Sequence, residues 1–322
     1  MDNRRIWHHR LRDFIQLIRW WNLLIAAGGF LISYSVWIAP VAKHHDFSGQ
    51  LLSIPTLLGI AIVIMYMLAF GYIHNDWRDR LADKINVHDR PLVHHNISRG
   101  KIIITLVIIG LLGWLLAIWI GCVLNKMEFA VLFPVIPLTL YFYNRYIKHQ
   151  PLLGNILVAG LCAIVPWLAW LAIPNPDAKW ELAKLPFVSL IGLSTLSLTV
   201  FFIMLAHELV KDLQDRAGDL AAGSKTLPIV KGTKFSKQLV TLSLAMIPVL
   251  FITAEIIRPE SATAHFVRLV VLLVVVAGFI LLSFKAYRAK NQSSYEKLNV
   301  WIKQGLVLGS VFLIYNFGPW NF

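Results

Sequence analysis

The sequence has few charged residues for its length. Lys, Arg, Asp and Glu make up 15% of its 322 residues, whereas a soluble domain carries about 25%. Hydrophobic residues account for 57% of the chain and are gathered in long runs. This shortage of charge excludes a large soluble α-helical protein and predicts an integral membrane protein.

Acidic residues are scarcer than basic ones, with 17 Asp and Glu against 30 Lys and Arg. The net charge of +13 would suit a nucleic-acid-binding protein if the basic residues formed one patch. They lie instead in short segments between apolar runs, which is typical of membrane proteins. We therefore expect membrane lipids and no nucleic acid among the partners, and the sequence indicates no obligate protein partner.

Cysteine is nearly absent. Cys122 and Cys162 both lie inside apolar runs, where a lone cysteine usually packs as a small hydrophobic residue. Neither a disulfide nor a cysteine metal site is expected. We expect no cleavable signal peptide, because residues 1–19 carry five arginines and the apolar run that follows is long enough to stay in the bilayer.

The apolar runs predict an all-α membrane protein. Each is near the roughly 20 residues that a helix needs to span a bilayer, and none alternates in polarity as the strands of a membrane barrel do. We expect about nine transmembrane helices in a single domain, residues 20–322, preceded by a basic amphipathic lead-in, residues 1–19, on the cytoplasmic surface. The predicted spans are 20–40, 51–73, 102–124, 128–147, 152–173, 186–206, 238–257, 266–284 and 300–317.

The distribution of Lys and Arg predicts the orientation of the bundle. With nine spans and the N-terminus inside, the cytoplasmic segments, together with Arg145 at the cytoplasmic end of the fourth span, hold 23 Lys and Arg, and the opposite loops hold 5. The positive-inside rule favours this arrangement. The long loops 74–101 and 207–237 are then cytoplasmic and the C-terminus lies outside, in what we expect to be a bacterial or archaeal cell membrane.

The first of two acidic rows follows the second apolar run and reads NDWRDRLADKINVHDRP, residues 75–91. Because a helix turns about 100° per residue, Asn75, Asp79 and Asp83 fall within roughly 80° of one another, and Asp76 lies close by. Like charges at this spacing repel, so a divalent cation is the natural counter-charge. Oxygen ligands favour Mg²⁺, which shares its remaining positions with water and substrate phosphates.

The second acidic row follows the sixth apolar run and reads HELVKDLQDRAGD, residues 207–219. Its four carboxylates fall within about 60° of one another on a helix; they are Glu208, Asp212, Asp215 and Asp219. Cationic side chains accompany both rows, with Arg90 after the first and Lys211 and Lys225 in or after the second. Carboxylates for Mg²⁺ and cations for the remaining phosphate charge suggest a diphosphate held between the rows.

Polar residues at the cytoplasmic ends of other spans are further candidates, because polar groups at membrane depth are costly. They are Arg19, Asn22, Tyr143, Asn144, Arg145 and Lys148. For Arg145 and Lys148, snorkelling of the charged group toward water is an equally good interpretation. His74 and His207 adjoin the rows and are candidates for hydrogen bonds to a substrate, whereas the pair His94-His95 lacks the spacing of helical metal ligands.

These motifs resemble those of the UbiA-type intramembrane prenyltransferases. The family's first motif, N-D-x-x-D-x-x-x-D followed by N-x-x-x-R-P, is matched by Asn75, Asp76, Asp79, Asp83, Asn86, Arg90 and Pro91. Its second motif, K-D-x-x-D-x-x-G-D followed by G-x-x-T-L-P, is matched by Lys211, Asp212, Asp215, Gly218, Asp219, Gly223, Thr226, Leu227 and Pro228. Further similar positions are Arg19, Asn22, Tyr143, Lys148, Gly154 and Asn155. The resemblance covers nearly the whole chain and includes a nine-helix bundle.

The resemblance implies a Mg²⁺-dependent enzyme that transfers an isoprenyl group from its diphosphate to a lipid or aromatic acceptor within the membrane. The implied metal ligands are Asn75, Asp76, Asp79 and Asp83 for one ion and Asp212, Asp215 and Asp219 for a second. Four of these carboxylates are also the implied catalytic groups, namely Asp79, Asp83, Asp212 and Asp215. The implied substrate-binding residues are Asn22, Arg90, Tyr143, Lys148, Asn155 and Lys211.

Within the family, the second motif is most similar to that of the geranylgeranylglyceryl-phosphate geranylgeranyltransferases. A geranylgeranyl or longer donor and geranylgeranylglyceryl phosphate as acceptor are therefore the first expectation, with 4-hydroxybenzoate or another quinone precursor as the alternative acceptor. The chain departs from the branch's pattern at His207, His94-His95 and Asn144, and these departures bear on the acceptor rather than on the reaction type.

Two other classes of membrane protein are weighed against this reading. A carboxylate-based transporter would place its acidic residues near the bilayer midplane, whereas these lie at the ends of apolar helices. A lipid-head-group phosphotransferase of the CDP-alcohol type needs a D-G-x-x-A-R row, which the sequence lacks. The transporter remains the non-enzyme alternative.

Overall fold

The structure is a computed structural model that describes residues 13–40, 51–86, 98–148, 150–173, 187–257 and 265–318. All regular structure in these residues is helical. The long helices are α1 Trp20–Ser33, α2 Ile54–Ile85, α3 Arg99–Leu124, α4 Glu128–Phe142, α5 Leu153–Ile164, α6 Phe187–Ala221, α7 Gly232–Ile257, α8 His265–Arg288 and α9 Gln292–Phe317. Single π-helical turns extend α1 over Tyr34–Ile38 and α4 over Tyr143–Ile147.

Eight helical stretches among the described residues are long and apolar enough to cross a membrane. They confirm the predicted all-α, multi-pass membrane protein. The predicted fourth span, 128–147, is covered by α4 and its π-helical turn but is not one of these eight. The count of nine transmembrane helices therefore stays a prediction.

Several helices extend beyond the spans predicted from hydrophobicity. α2 has 32 residues and α6 has 35, so both continue past the predicted span ends at residues 73 and 206. The acidic rows therefore lie on helices and not in loops. Local sequence explains the continuation, because residues 75–85 contain neither Gly nor Pro and are rich in helix-forming Arg, Leu, Ala and Lys.

The described residues belong to two compact units, and the first comprises those within 1–31, 52–149 and 217–224. In this unit α2 packs against α3 and α4. Gly113 of α3 makes this close packing possible, since a Cβ atom there would lie 2.3 Å from the Phe133 ring of α4 and 2.9 Å from Tyr66 Cβ of α2. The predicted lead-in, residues 1–19, lies mostly outside the described residues, and the predicted single domain stays a prediction.

The second unit comprises the described residues within 32–51, 150–216 and 225–322. Here α7 packs against α8, and α8 packs against α9. Three phenylalanines, one from each helix, meet in the core: the rings of Phe251 and Phe312 stack with centroids 4.9 Å apart, and Phe279 meets Phe251 edge-on at 6.1 Å. Aromatic packing of this kind adds to the contact area that holds the three helices together.

The second unit also joins the first predicted span to the last. In the π-helical turn that extends α1, the buried Trp37 donates a hydrogen bond from its indole Nε1 to the main-chain oxygen of Phe317, at 2.8 Å. Gly192 of α6 lies directly beside this pair, because a Cβ atom there would be 2.4 Å from Trp37 Nε1 and 2.8 Å from Phe317 Cβ. Only glycine leaves room for the contact.

Candidate active site

The first acidic row forms a stripe on the last turns of α2. Asn75 Nδ2 donates a hydrogen bond to Asp79 Oδ2 at 3.0 Å, which is the i,i+4 contact that the sequence predicts. Asp83 follows one turn later and is only 3% exposed. A buried carboxylate row of this kind requires a compensating positive charge, since burying an unpaired charge is costly.

Lys148 supplies that charge in the structure. Its Nζ donates a hydrogen bond to Asn75 Oδ1 at 2.7 Å and forms an ion pair with Asp79 Oδ2. The π-helical turn Tyr143–Ile147 ends at Lys148, whose main-chain N–H donates to the Tyr143 oxygen at 2.9 Å. The turn thus places the half-buried Lys148 against the acidic row, whereas the other predicted substrate-binding residue of this segment, Tyr143, is buried.

The oxygens that meet at Lys148 suit a magnesium ion. The Asn75 carbonyl and the Asp79 carboxylate already converge on one cation. Among the described residues, no three His, Cys, Asp or Glu side chains are close enough to form a metal site by themselves. This donor set differs from the nitrogen and sulfur ligands of zinc and fits Mg²⁺, which takes few protein oxygens and completes its shell with water and phosphate.

Asp76 points to a different partner. Its Oδ1 accepts a hydrogen bond from the Arg19 guanidinium at 2.5 Å, and Asp76 is 3% exposed. Arg19 also lies over the Tyr72 ring, 4.9 Å from its centroid. Arg19 itself has a left-handed backbone with φ of 52°, so the chain bends just before α1 and brings this side chain onto α2. Asn22, one turn later on α1, is half-buried.

His74 is buried among protein groups. Its Nδ1 accepts a hydrogen bond from the side-chain amide of Asn144 at 2.9 Å, because an amide nitrogen can only donate. Its ring stacks on Tyr141 with centroids 5.4 Å apart. The departure from the family pattern at Asn144 therefore has a local explanation, since this residue joins α4 to α2 through His74.

One residue of the first motif contacts one residue of the second. Asn86 Oδ1 accepts a hydrogen bond from the main-chain N–H of Gly218 at 2.8 Å, and both residues are buried in the first unit. Asp219 follows and is half-buried. Arg90, Pro91, His94 and His95 lie outside the described residues.

A Schellman motif ends α6 just after Asp219. The N–H of Ser224 bonds to the Asp219 main-chain oxygen at 2.9 Å, and the N–H of Gly223 bonds to the Leu220 oxygen at 3.2 Å. Gly223 has φ of 72°, a conformation that glycine adopts without penalty. The glycine before the T-L-P segment is therefore needed for the turn that stops the helix.

The second acidic row begins in the second unit. Asp212 Oδ2 accepts a hydrogen bond from Asn155 Nδ2 at 2.9 Å, and Asn155 is 8% exposed near the start of α5. Lys211 and Asp215 are half-buried on α6. The structure thus joins one predicted substrate-binding residue, Asn155, to one predicted metal ligand, Asp212.

A polar chain behind this row was not predicted from the sequence. His207 Nδ1 lies 3.0 Å from Asn299 Oδ1, and Asn299 Nδ2 donates to Gln214 Oε1. Asn299 is on α9, in the part of this helix that precedes the predicted last span, 300–317. No signal in the sequence marks Asn299, because it follows a polar segment where an asparagine is ordinary, and its partners depend on how α9 lies against α6.

The family model of the UbiA prenyltransferases matches residues 22–304. A digeranylgeranylglyceryl phosphate synthase of Thermococcus sibiricus is 33% identical over 230 residues, which are 71% of this chain and 72% of the relative. The synthase of the same name from Methanobrevibacter smithii is 27% identical over 318 residues, 94% of this chain and 96% of the relative.

Solved structures share the fold. The structure of a digeranylgeranylglyceryl phosphate synthase in membranes matches with a TM-score of 0.64 at 21% identity, over 96% of this chain and 99% of that chain. A UbiA homologue of Archaeoglobus fulgidus bound to GPP and Mg²⁺ matches with a TM-score of 0.54 at 15% identity, over 94% of this chain and 99% of that one. At these identities the likeness concerns the fold.

Proposed function

The chain belongs to the UbiA prenyltransferase family, and we propose that it transfers a geranylgeranyl group from its diphosphate to geranylgeranylglyceryl phosphate. Membership makes it a membrane-bound isoprenyl transferase. The proposal of this donor and acceptor is supported by relatives named digeranylgeranylglyceryl phosphate synthase, one of which aligns over 94% of the chain. The match of the second motif to that branch supports the same acceptor.

The observation that carries the proposal is the position of Lys148 against Asn75 and Asp79. Two oxygens and one cation are already in contact there. A diphosphate with Mg²⁺ offers the complementary charges, since its phosphate oxygens attract the ammonium and its metal attracts the two side-chain oxygens. We propose that Lys148 exchanges Asp79 for a phosphate oxygen when the donor binds.

Each acidic row has a proposed set of roles. Asn75, Asp79 and Asp83 would hold one Mg²⁺, and Asp212 and Asp215, with Asp219, a second. Lys148, Lys211 and Arg90 would bind the phosphate oxygens, while Asn155 orients the Asp212 carboxylate through its hydrogen bond of 2.9 Å. Magnesium, when bound, would stabilise the charge that develops on the leaving diphosphate.

The residues of the chain would serve the reaction by neutralising charge and excluding water. The bond between the allylic carbon and the diphosphate oxygen breaks, a new bond forms from that carbon to the acceptor hydroxyl oxygen, and the hydroxyl proton passes to the departing diphosphate or to water. Cationic side chains stabilise the departing diphosphate. Apolar helices keep water from the reactive carbon, which would otherwise be hydrolysed.

The proposed site opens to the cytoplasm. The distribution of Lys and Arg favours an orientation with the N-terminus and the polar ends of α2 and α6 on the inside of the membrane and the C-terminus outside. Prenyl diphosphates are charged and water-exposed at the head, so a site at the interface accepts the head from the cytoplasmic side while the tail remains in the bilayer.

The test is a transfer assay on the purified full-length protein in lipid bilayers, with Mg²⁺ and radiolabelled geranylgeranyl diphosphate. The acceptors offered are geranylgeranylglyceryl phosphate, 4-hydroxybenzoate, a dihydroxynaphthoate and homogentisate. We expect labelled product with the glyceryl phosphate ether alone, and its loss when EDTA is added. Product with an aromatic acceptor alone would overturn the proposed acceptor, and transfer that persists in EDTA would overturn the role of Mg²⁺.

A further inference from the structure

A groove runs along α8 and α9 in the second unit, remote in sequence from both acidic rows. It has a volume of about 260 Å³ and is lined by one stripe of each helix. Val275, Leu282 and Lys285 are among the lining residues on α8, and Trp301 and Leu308 among those on α9. Its lining is almost entirely apolar, and the charged group of Lys285 lies at one end.

Two glycines make the groove. Gly278 of α8 and Gly305 of α9 both line it. A Cβ atom on Gly278 would meet nothing within 4 Å, so the space in front of this residue is open, whereas a Cβ on Gly305 would lie 3.2 Å from the Phe279 ring. The groove is therefore open above α8 and closed at its base by α9 and Phe279.

The charged end of the groove is formed by Lys285. Its Nζ lies 3.8 Å from the centroid of the Trp301 ring, a cation–π contact that leaves its N–H donors available. In the part of the chain that the structure describes, no carboxylate pairs with this ammonium. An unpaired lysine at the mouth of an apolar groove favours an anionic ligand with an apolar body.

The surroundings of Lys285 are also basic. Lys237 of α7 donates hydrogen bonds to the main-chain oxygens of Tyr287 and Ala289, both at 3.0 Å, and so neutralises the negative end of the α8 dipole. Arg288 lies over the Phe284 ring at 4.1 Å. An anion near Lys285 would therefore be attracted by several cations and not repelled by the helix end.

The length of the groove matches one leaflet of a bilayer. Val275 and Lys285 are ten residues apart on α8, which is about 15 Å of helix. The hydrocarbon core of a bilayer is about 30 Å thick. A ligand with its anionic group at Lys285 and a chain reaching Val275 would thus occupy half of the membrane.

We propose that this groove binds an anionic membrane phospholipid, with the lipid phosphate on Lys285 and one hydrocarbon chain lying over Gly278 toward Val275. The charge at one end, the apolar lining and the one-leaflet length each match a part of such a lipid. A free phosphate ion would use only the charged end, and a neutral lipid only the apolar part. The site is independent of the proposed transfer reaction.

Native mass spectrometry of the purified full-length protein tests the proposal. Delipidated protein is titrated with phosphatidylglycerol or phosphatidylcholine carrying identical chains. We expect tighter binding of phosphatidylglycerol, and the substitution Lys285→Gln should weaken it about fivefold, the effect of one Lys near an anionic lipid surface. Lys297→Gln is the matched control. It removes an exposed lysine near the start of α9 that does not line the groove.

A second variant tests the chain-binding part. Gly278→Leu fills the open space without a main-chain clash and should reduce binding of both lipids, whereas Gly110→Leu on α3, where a Cβ also meets nothing within 4 Å, should leave binding unchanged. Equal binding of both lipids by the wild type, or an unchanged affinity in both Lys285→Gln and Gly278→Leu, would overturn the proposal.

Two other occupants would give different results. If Gly278→Leu instead converts a dimer to a monomer in light scattering, the groove is an interface between two copies of the chain. If it raises KM for geranylgeranyl diphosphate while phosphatidylglycerol binding is unchanged, the groove holds the tail of the donor. Either outcome would refute the phospholipid site, and neither depends on which acceptor the enzyme uses.

Discussion

Lys148 Nζ lies 2.7 Å from Asn75 Oδ1, although 73 residues separate the two in sequence. The contact places the ammonium on the acidic row of α2, where Asp79 pairs with the same nitrogen. The row is thus neutralised by a residue that must change partner if a metal-bound diphosphate enters.

Replacing Lys148 with Gln should raise KM for geranylgeranyl diphosphate by roughly 10- to 100-fold, because a hydrogen bond to a charged group contributes about 1.5–3 kcal/mol. Steady-state kinetics with saturating acceptor measures this. Arg145→Gln is the control, since Arg145 belongs to the same π-helical turn and its guanidinium lies 5.8 Å from the Tyr146 ring centroid. Equal effects of the two variants would argue against a specific phosphate contact by Lys148.

Asp79→Asn and Asp215→Asn should each abolish measurable transfer while the protein remains folded. Both changes keep the shape of the side chain and remove one of the negative charges that would attract Mg²⁺ to the row. Transfer is followed by product chromatography, and folding by gel filtration and circular dichroism. Glu128→Gln, an exposed carboxylate at the start of α4, should retain full activity. Normal transfer by either aspartate variant would refute the two-row mechanism.

Arg19 and Asp76 provide a test between two roles for one carboxylate. If Asp76 serves mainly to hold Arg19, then Arg19→Gln and Asp76→Asn should lower the free energy of unfolding by similar amounts, about 1–3 kcal/mol, and the double variant should lose little more. Denaturant titration of all four proteins gives the coupling. Loss of transfer in Asp76→Asn alone, with Arg19→Gln fully active, would instead support the metal role implied by the first motif.

Asn299 is expected to matter for transfer although no motif contains it. Asn299→Leu should lower kcat/KM about tenfold, because His207 and Gln214 lose the hydrogen bonds that hold them behind the second row and small displacements of catalytic groups are costly. Ser310→Ala on the same helix, where the hydroxyl donates only to the Leu306 oxygen of its own helix at 2.8 Å, is the control. A difference in kcat/KM of less than twofold between the two variants would contradict this role.

Local periodicity predicted the part of the site that lies within one helix. The i,i+4 spacing of Asn75 and Asp79 gave their contact, and the apolar runs gave the helical class. The predicted spans end before α2 and α6 do, at residues 73 and 206. Hydrophobicity measures the preference of a segment for lipid, whereas a helix continues as long as its residues favour helical structure. In α2 the charged row contains neither Gly nor Pro and extends the helix beyond the apolar run, and α6 continues in the same way in spite of Gly218.

Contacts across helices could not be predicted in the same way. The metal role that the family resemblance implies for Asp76 stays a prediction, but its contact with Arg19 depends on the bend of the chain just before α1, which the sequence does not reveal. Asn299 and His207 meet through the packing of α9 on α6. In each case the partner depends on how two helices rotate about their axes, and side-chain volumes throughout the core decide that rotation.

The hydrogen bond from Trp37 to Phe317 has a consequence for biogenesis. Its donor leaves the ribosome 280 residues before its acceptor. The space beside Gly192 therefore stays unfilled on one side until α9 enters the membrane. Nascent chains should remain open to quality-control proteases up to that moment, and a chain that stops short of α9 should be degraded rather than accumulate as a stable fragment.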